Sequence, residues 1–208
     1  MSAQTFFAAL LFALVMAFTP GPNNVMLASS GARFGVARTM PHLLGVLVGF
    51  PVMLFLVGLG LASILLASPL LQLAMKTLSC AYLLWLTFQI ARSSSGISEG
   101  TGGKPLTFLQ AAAFQWINPK AWLMAVGAIS AYTAGHGRQL YFQVAIIALI
   151  TLGVTLPSTL TWTAFGAGIR RFLRAPLALR LFNLAMALLL LASTVPILVE
   201  IWDGLKQV

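Results

Sequence analysis

Long apolar runs separated by short polar gaps make up nearly the whole chain. The runs cover residues 4–29, 41–66, 69–91, 108–132, 139–167 and 178–201. A helix needs roughly 20 predominantly apolar residues to cross the hydrocarbon of a bilayer. The pattern therefore predicts an all-α membrane protein of six transmembrane helices forming a single transmembrane domain, 1–208.

The gaps differ in charge. The first holds Arg33 and Arg38, and the third, 92–105, is rich in Ser and Gly and carries Arg92, Glu99 and Lys104. The fifth holds Arg170, Arg171 and Arg174. The second is the tight turn Ala67-Ser68-Pro69, and the fourth, Gly135-His136-Gly137-Arg138, has a single Arg. Short loops rich in Lys and Arg stay on the cytoplasmic side. The odd gaps are thus expected inside and both termini outside, in the periplasm of a Gram-negative cell. No Lys or Arg precedes Arg33. A cleavable signal needs a charged start, so the first run is read as a retained helix.

Two runs are interrupted. Thr19-Pro20-Gly21-Pro22-Asn23-Asn24 falls in the first and Asn118-Pro119-Lys120 in the fourth. Each proline removes a backbone donor and clashes with the preceding turn. Within lipid the freed groups must be buried in protein or line a wet cavity. A new helix starting at Asn23 would offer free N–H groups to an anion such as a carboxylate. The carbonyls freed before Pro20, and the side-chain oxygens of Asn23, Asn24 and Asn118, could hold an ammonium. Gly21 and Pro119 are expected to act as hinges. Lys120 stands roughly 18 Å along a helix from the start of its run, near mid-depth, where a lysine costs about 3 kcal/mol. It is expected to face a cavity, a substrate carboxylate or helix-end carbonyls. Lys76, with Tyr82 six residues on, is either an interfacial anchor or part of the site. Trp116 either lines a cavity or packs in the bundle, and His42 marks the cytoplasmic interface. Cys80, the one cysteine, reads as a small buried apolar residue.

The runs also fall into two sets of three. Pro51 precedes Gly60 by nine residues, as Pro157 precedes Gly166. Lys76 precedes Ser79 by three, as Arg180 precedes Asn183. Repeat 1 is placed at about 1–92, a linker at 93–105 and repeat 2 at 106–208. An odd number of crossings per copy makes the repeats inverted, an arrangement that puts a transporter's substrate near the membrane midplane.

Composition narrows the function. Only 7% of the residues are charged, 60% are apolar and the net charge is +9. The basic residues sit in the gaps rather than on a wet patch with aromatic partners, which argues against nucleic acid. There is no phosphate-binding glycine-lysine loop for ATP and no His/Asp/Glu cluster for metal or hydrolytic chemistry, so neither an enzyme nor a cofactor is expected. No run contains an acid except Glu200 at the last edge, leaving the residue that would couple transport to protons undefined.

Thr19-Pro20-Gly21-Pro22-Asn23, Ala81-Tyr82-Leu83-Leu84-Trp85-Leu86 and Asn118-Pro119-Lys120-Ala121 resemble the LysE/RhtB family of amino-acid exporters, over essentially the whole chain. Thr-Pro-Gly-Pro-Asn-Asn looks most like its cysteine/O-acetylserine branch, with threonine/homoserine exporters the neighbouring group. The resemblance implies proton-driven efflux of small amino acids from the bacterial cytoplasm through the inner membrane. Many members carry Asp where this chain has Asn23, which puts carboxylate-based coupling there in doubt. The combined expectation is a secondary exporter of a small neutral amino acid, with protons as coupling ion. A passive channel or a non-transporting assembly subunit is the alternative. The sequence leaves open which amino acid is carried and whether the chain forms a homo-oligomer.

Overall fold

The computed structural model describes residues 1–61, 69–92, 104–134, 137–169 and 176–205, and these are almost wholly helical. In chain order the helices are α1 (Ala3–Phe18), α2 (Pro22–Leu56), α3 (Pro69–Arg92), α4 (Phe108–Phe114), α5 (Pro119–Tyr132), α6 (Arg138–Ile169) and α7 (Pro176–Leu205). A wider, π-type turn, Val57–Leu61, extends α2. Three stretches are long and apolar enough to cross a membrane as they stand: Pro22–Leu61, Gln72–Arg92 and Arg138–Ile169. Most of the Ser/Gly linker, the Arg170–Arg174 cluster and the Ala67-Ser68 turn lie outside the described residues.

Both predicted interruptions are present. The first apolar run divides into α1 and the start of α2, and the fourth into α4 and α5. The gap expected at 30–40 is not a loop. Helical structure continues through it, broken only at Gly35, whose φ of 78° is a conformation that L side chains rarely adopt. This divides α2 into a first arm, 22–34, and a second arm, 36–56. The Thr39 hydroxyl fastens the turn by donating to the Gly35 carbonyl at 2.8 Å. The Ser30 and Thr39 hydroxyls lie 3.1 Å apart.

The packing crosses between the two halves of the chain. α1 buries Ala9 and Ala13 against Ile150 and Val154 of α6. The first arm of α2 also lies on α6, so closely that a methyl at Gly166 would overlap the Ala28 carbonyl and one at Gly31 the Thr163 carbonyl. Reciprocally, the second arm of α2 takes both parts of the fourth run. Leu43 and Val46 pack with Ala111 of α4. Phe50, Met53 and Leu54 pack with Ala121, Met124 and Ala125 of α5. α3 and α7 pair through Leu83, Leu86 and Ile90 against Phe182, Met186 and Leu190, with Cys80 buried among them. Gly60 and Gly166, matched in the repeat, have different roles. Gly60 has a φ of 114° in the turn after α2, whereas Gly166 allows a close helix crossing.

Large apolar side chains remain exposed on the outside of the bundle, among them Phe7, Leu11, Leu78, Leu123, Leu149 and Leu188. A continuous apolar exterior of this kind is what lipid contact requires.

Candidate functional site

α1 ends at the first interruption with carbonyls that have no helical donors. Side chains from three separate places supply them. Asn24 Nδ2 donates to the carbonyl oxygens of Ala17 and Thr19, each at 2.9 Å. Ser158 Oγ of α6 donates to Ala17 O at 2.7 Å. Lys120 Nζ of α5 donates to Thr19 O at 2.6 Å and to Pro20 O at 3.4 Å. The cation thus sits at the negative end of the α1 dipole.

The second interruption is joined to the first by an amide pair. Asn23 Nδ2 donates to Gln115 Oε1 at 2.8 Å, and Gln115 Nε2 donates back to Asn23 Oδ1 at 3.2 Å. Gln115 is fully buried and also donates to Ala111 O at 2.9 Å. Pro22 and Pro119 each open a helix, and the residue after each, Asn23 or Lys120, reaches the end of the other interrupted run. The two breaks therefore meet.

The two helix starts at this junction differ. The first turn of α5 is capped by Asn118 Oδ1, which accepts from Lys120 N at 3.1 Å. The start of α2 has Gly21 as its N-cap and no side-chain cap. Its first-turn N–H groups are a free anion-binding end. Lys120 lies directly against that glycine: a Cβ added at Gly21 would come 2.6 Å from Lys120 Cδ and 3.0 Å from Nζ. Positive charge and free N–H groups thus converge on one small volume.

That volume is a cavity of about 40 Å³ bordered by Gly21, Asn23, Asn24, Asn118 and Lys120, with Ser158 and Thr159 from α6. A water needs roughly 10–15 Å³ measured this way. The cavity in this conformation suits a few waters rather than an amino acid, because the Lys120 side chain takes up part of it.

Of the residues singled out in the sequence, Gly21, Asn23, Asn24, Asn118 and Lys120 meet here. Pro20 contributes its carbonyl, and Pro22 and Pro119 set the helix starts. Lys76 and Tyr82 do not border this cavity. Tyr82 packs against Phe114 and Trp85, at ring-centroid distances of 5.3 and 5.7 Å. Trp116 is a packing residue: its ring meets Trp122 edge-on at 6.1 Å, and its carbonyl accepts from Trp122 Nε1 at 2.8 Å. His42 is buried within the bundle, only 2% exposed. Ser158, Thr159 and the pairing role of Gln115 are not among the features singled out in the sequence. The Ser-Thr pair directly after Pro157 in an apolar run was the available signal for the first two.

Residues 14–200 match the family described as LysE type translocator, and the chain belongs to that family. It is 28% identical over 186 residues to the cysteine/O-acetylserine efflux protein of Escherichia coli strain K12, covering 89% of this chain and 93% of that one. The protein of the same description from Shigella flexneri gives the same identity and coverage. No solved structure matches. Family membership makes the chain a translocator rather than an enzyme.

Proposed function

We propose that this LysE-type translocator exports a small neutral amino acid or amino-acid derivative from the bacterial cytoplasm across the inner membrane, driven by the proton gradient. O-acetylserine and cysteine are the first substrates to consider, from the relatives' names, and threonine and homoserine the second. The observation that carries this reading is the uncapped start of α2 lying against the Lys120 ammonium. An amino acid presents one carboxylate and one ammonium a few ångströms apart. The free N–H groups at Asn23 and Asn24 suit the carboxylate. The carbonyls of Thr19 and Pro20 suit the ammonium.

In the structure Lys120 holds those two carbonyls. Its ammonium is therefore read as a stand-in that an arriving substrate displaces. Once released, Lys120 turns to the substrate carboxylate, which keeps every charge paired. The side-chain oxygens of Asn23, Asn24 and Asn118 complete the ammonium shell. Gly21 and Pro119 act as hinges between inward- and outward-facing states.

Six crossings in two inverted repeats fit the reciprocal packing, in which each interrupted run lies on the long helix of the other half. Phe34, beside the first basic gap, and Lys104, from the third, border one common cavity. That supports placing the odd gaps together on the cytoplasmic side, with both termini outside.

The test is labelled O-acetyl-L-serine moved by the purified full chain in proteoliposomes under an imposed pH gradient. Accumulation above equilibrium that an uncoupler abolishes is expected. Equilibration without accumulation would make the protein a passive channel instead.

A further inference from the structure

A second cavity, of about 90 Å³, is bordered by Ser29, Ser30, Phe34, His42, Tyr82 and Lys104 among others. It shares no residue with the junction cavity. Ser30 lies seven residues beyond Asn23, about 10 Å along the helix at 1.5 Å per residue. Leu27, Leu43 and Val46 of the two α2 arms and Ala111 of α4 form one buried apolar cluster, with Leu27 and Leu43 wholly inaccessible. The second cavity lies toward the Gly35 turn, the end that carries Arg33 and Arg38.

His42 borders this cavity with neither ring nitrogen hydrogen-bonded, and Ser29 Oγ is likewise buried without a partner. An imidazole has a donor or acceptor at each nitrogen, and burying both unmatched is costly. The charged or titratable groups facing His42 across the cavity are Tyr82 from α3 and Lys104. Among the described residues that border it there is no carboxylate. The acids of the chain are Glu99, in the linker, and Glu200 and Asp203, near the end of α7, so none of α1 to α6 carries the carboxylate that commonly moves protons through a transporter. Imidazole is the side chain whose ordinary titration falls within the physiological range.

We propose that this second cavity is the proton site of the transporter and that the His42 imidazole takes up and releases the coupling proton. The proposal rests on the proton-driven reading above. In the cycle, a free ring nitrogen accepts one proton from water that reaches the cavity from the junction side. The imidazolium then donates to the Ser29 or Tyr82 hydroxyl oxygen. When the cavity opens at the basic end, the proton leaves to cytoplasmic water and the neutral ring is restored. One proton enters and one leaves per cycle.

Two measurements on the full chain in proteoliposomes test it. With labelled O-acetyl-L-serine as probe, His42→Gln is expected to keep substrate-for-substrate exchange and to lose accumulation driven by a pH gradient. The second uses ¹⁵N-histidine NMR. The chain has two histidines, so His136→Gln leaves the His42 ring as a single reporter with its own site intact. Its signals are expected to titrate within the pH range over which the protein stays folded, and to shift when the probe is added. Undiminished accumulation in His42→Gln overturns the proposal, as does a ring signal that does not move over that range. If His42→Gln fails to fold, the NMR titration decides. Should the unmodified protein exchange the probe but never accumulate it, proton coupling itself falls and this site with it.

Discussion

The side-chain amides of Asn23 and Gln115 face each other head to tail, each donating to the other's oxygen at 2.8 and 3.2 Å. The pair bridges 92 positions of sequence and fastens one interrupted helix to the other. Both donors and both acceptors are matched, so truncating one side orphans a buried amide, at a cost of about 1–3 kcal/mol. Truncating both removes the mismatch. Gln115→Ala and Asn23→Ala, each destabilising alone, are therefore expected to be less than additive when combined, with a coupling of about 0.5–3 kcal/mol. Thermal unfolding of the detergent-solubilised single and double variants checks this, and strict additivity would show that the pair is not coupled.

Lys120 is the second link between the breaks. Lys120→Met keeps the aliphatic stem but removes the charge from the Thr19 and Pro20 carbonyls, and export of O-acetyl-L-serine is expected to be lost. Gly21→Ala acts on the same contact from the other side. Its methyl would lie 2.6 Å from Lys120 Cδ, and because the stem is flexible the ammonium moves rather than the backbone. Gly21→Ala is expected to melt within a few degrees of the parent yet to carry substrate poorly. An export assay beside a melting curve separates the two effects, and normal export in both variants would remove Lys120 from the site.

The same pair shows what the sequence could and could not supply. The breaks were legible because Pro20, Pro22 and Pro119 have a local, covalent consequence: no donor and a fixed φ. That Asn23, Asn24, Asn118 and Lys120 belong together followed from the cost of placing them in lipid. Which atom meets which did not follow. Lys120 was expected to face a cavity, a substrate carboxylate or helix-end carbonyls, and it is the last of these, the α1 carbonyls, that it holds; the choice among them depends on how α5 crosses α1. The turn at Gly35 was concealed for a different reason. Residues 30–40 are polar enough to read as a loop, yet one glycine with positive φ reverses the chain and lets helix continue on either side. His42, six residues from Val36 in an arm beginning at that turn, is consequently buried within the bundle.

The helix crossing beneath the site leaves no room for side chains. Gly166→Ala would drive a methyl into the Ala28 carbonyl, and Gly31→Ala one into that of Thr163. Backbone cannot yield as a side chain tip does, so the first arm of α2 and α6 must separate. Overpacking of this kind costs about 1–3 kcal/mol. Both variants are expected to lower the melting temperature, whereas Gly153→Ala on the same helix, with open space at its Cβ, is not. Equal melting curves for all three would contradict the close approach.

The carbonyl of Ala17 tests how redundantly the end of α1 is held. It accepts from both Asn24 and Ser158, so Ser158→Ala leaves it satisfied and is expected to cost under about 1 kcal/mol. Asn24→Leu removes the donor shared by Ala17 and Thr19 and is expected to cost more. Reversal of that order in thermal unfolding would mean that Ser158, not Asn24, is the main cap.

Orientation in the membrane can be read with single cysteines. Cys80 is the one native cysteine and is buried, so Cys80→Ser gives a silent background in which the α3–α7 packing loses little volume. Ala37, between the two arginines of the first gap, and Gln139, at the start of α6, are both exposed. By the excess of basic residues in the odd gaps, Ala37 is expected inside and Gln139 outside. A membrane-impermeant maleimide is therefore expected to label Gln139→Cys in intact spheroplasts and Ala37→Cys only after lysis. The opposite pattern would invert the whole chain, put the His42 cavity on the periplasmic side and require the proton to leave through the junction of the two breaks instead. Labelling of both positions from one side would be incompatible with six crossings, since they are separated by the second, third and fourth.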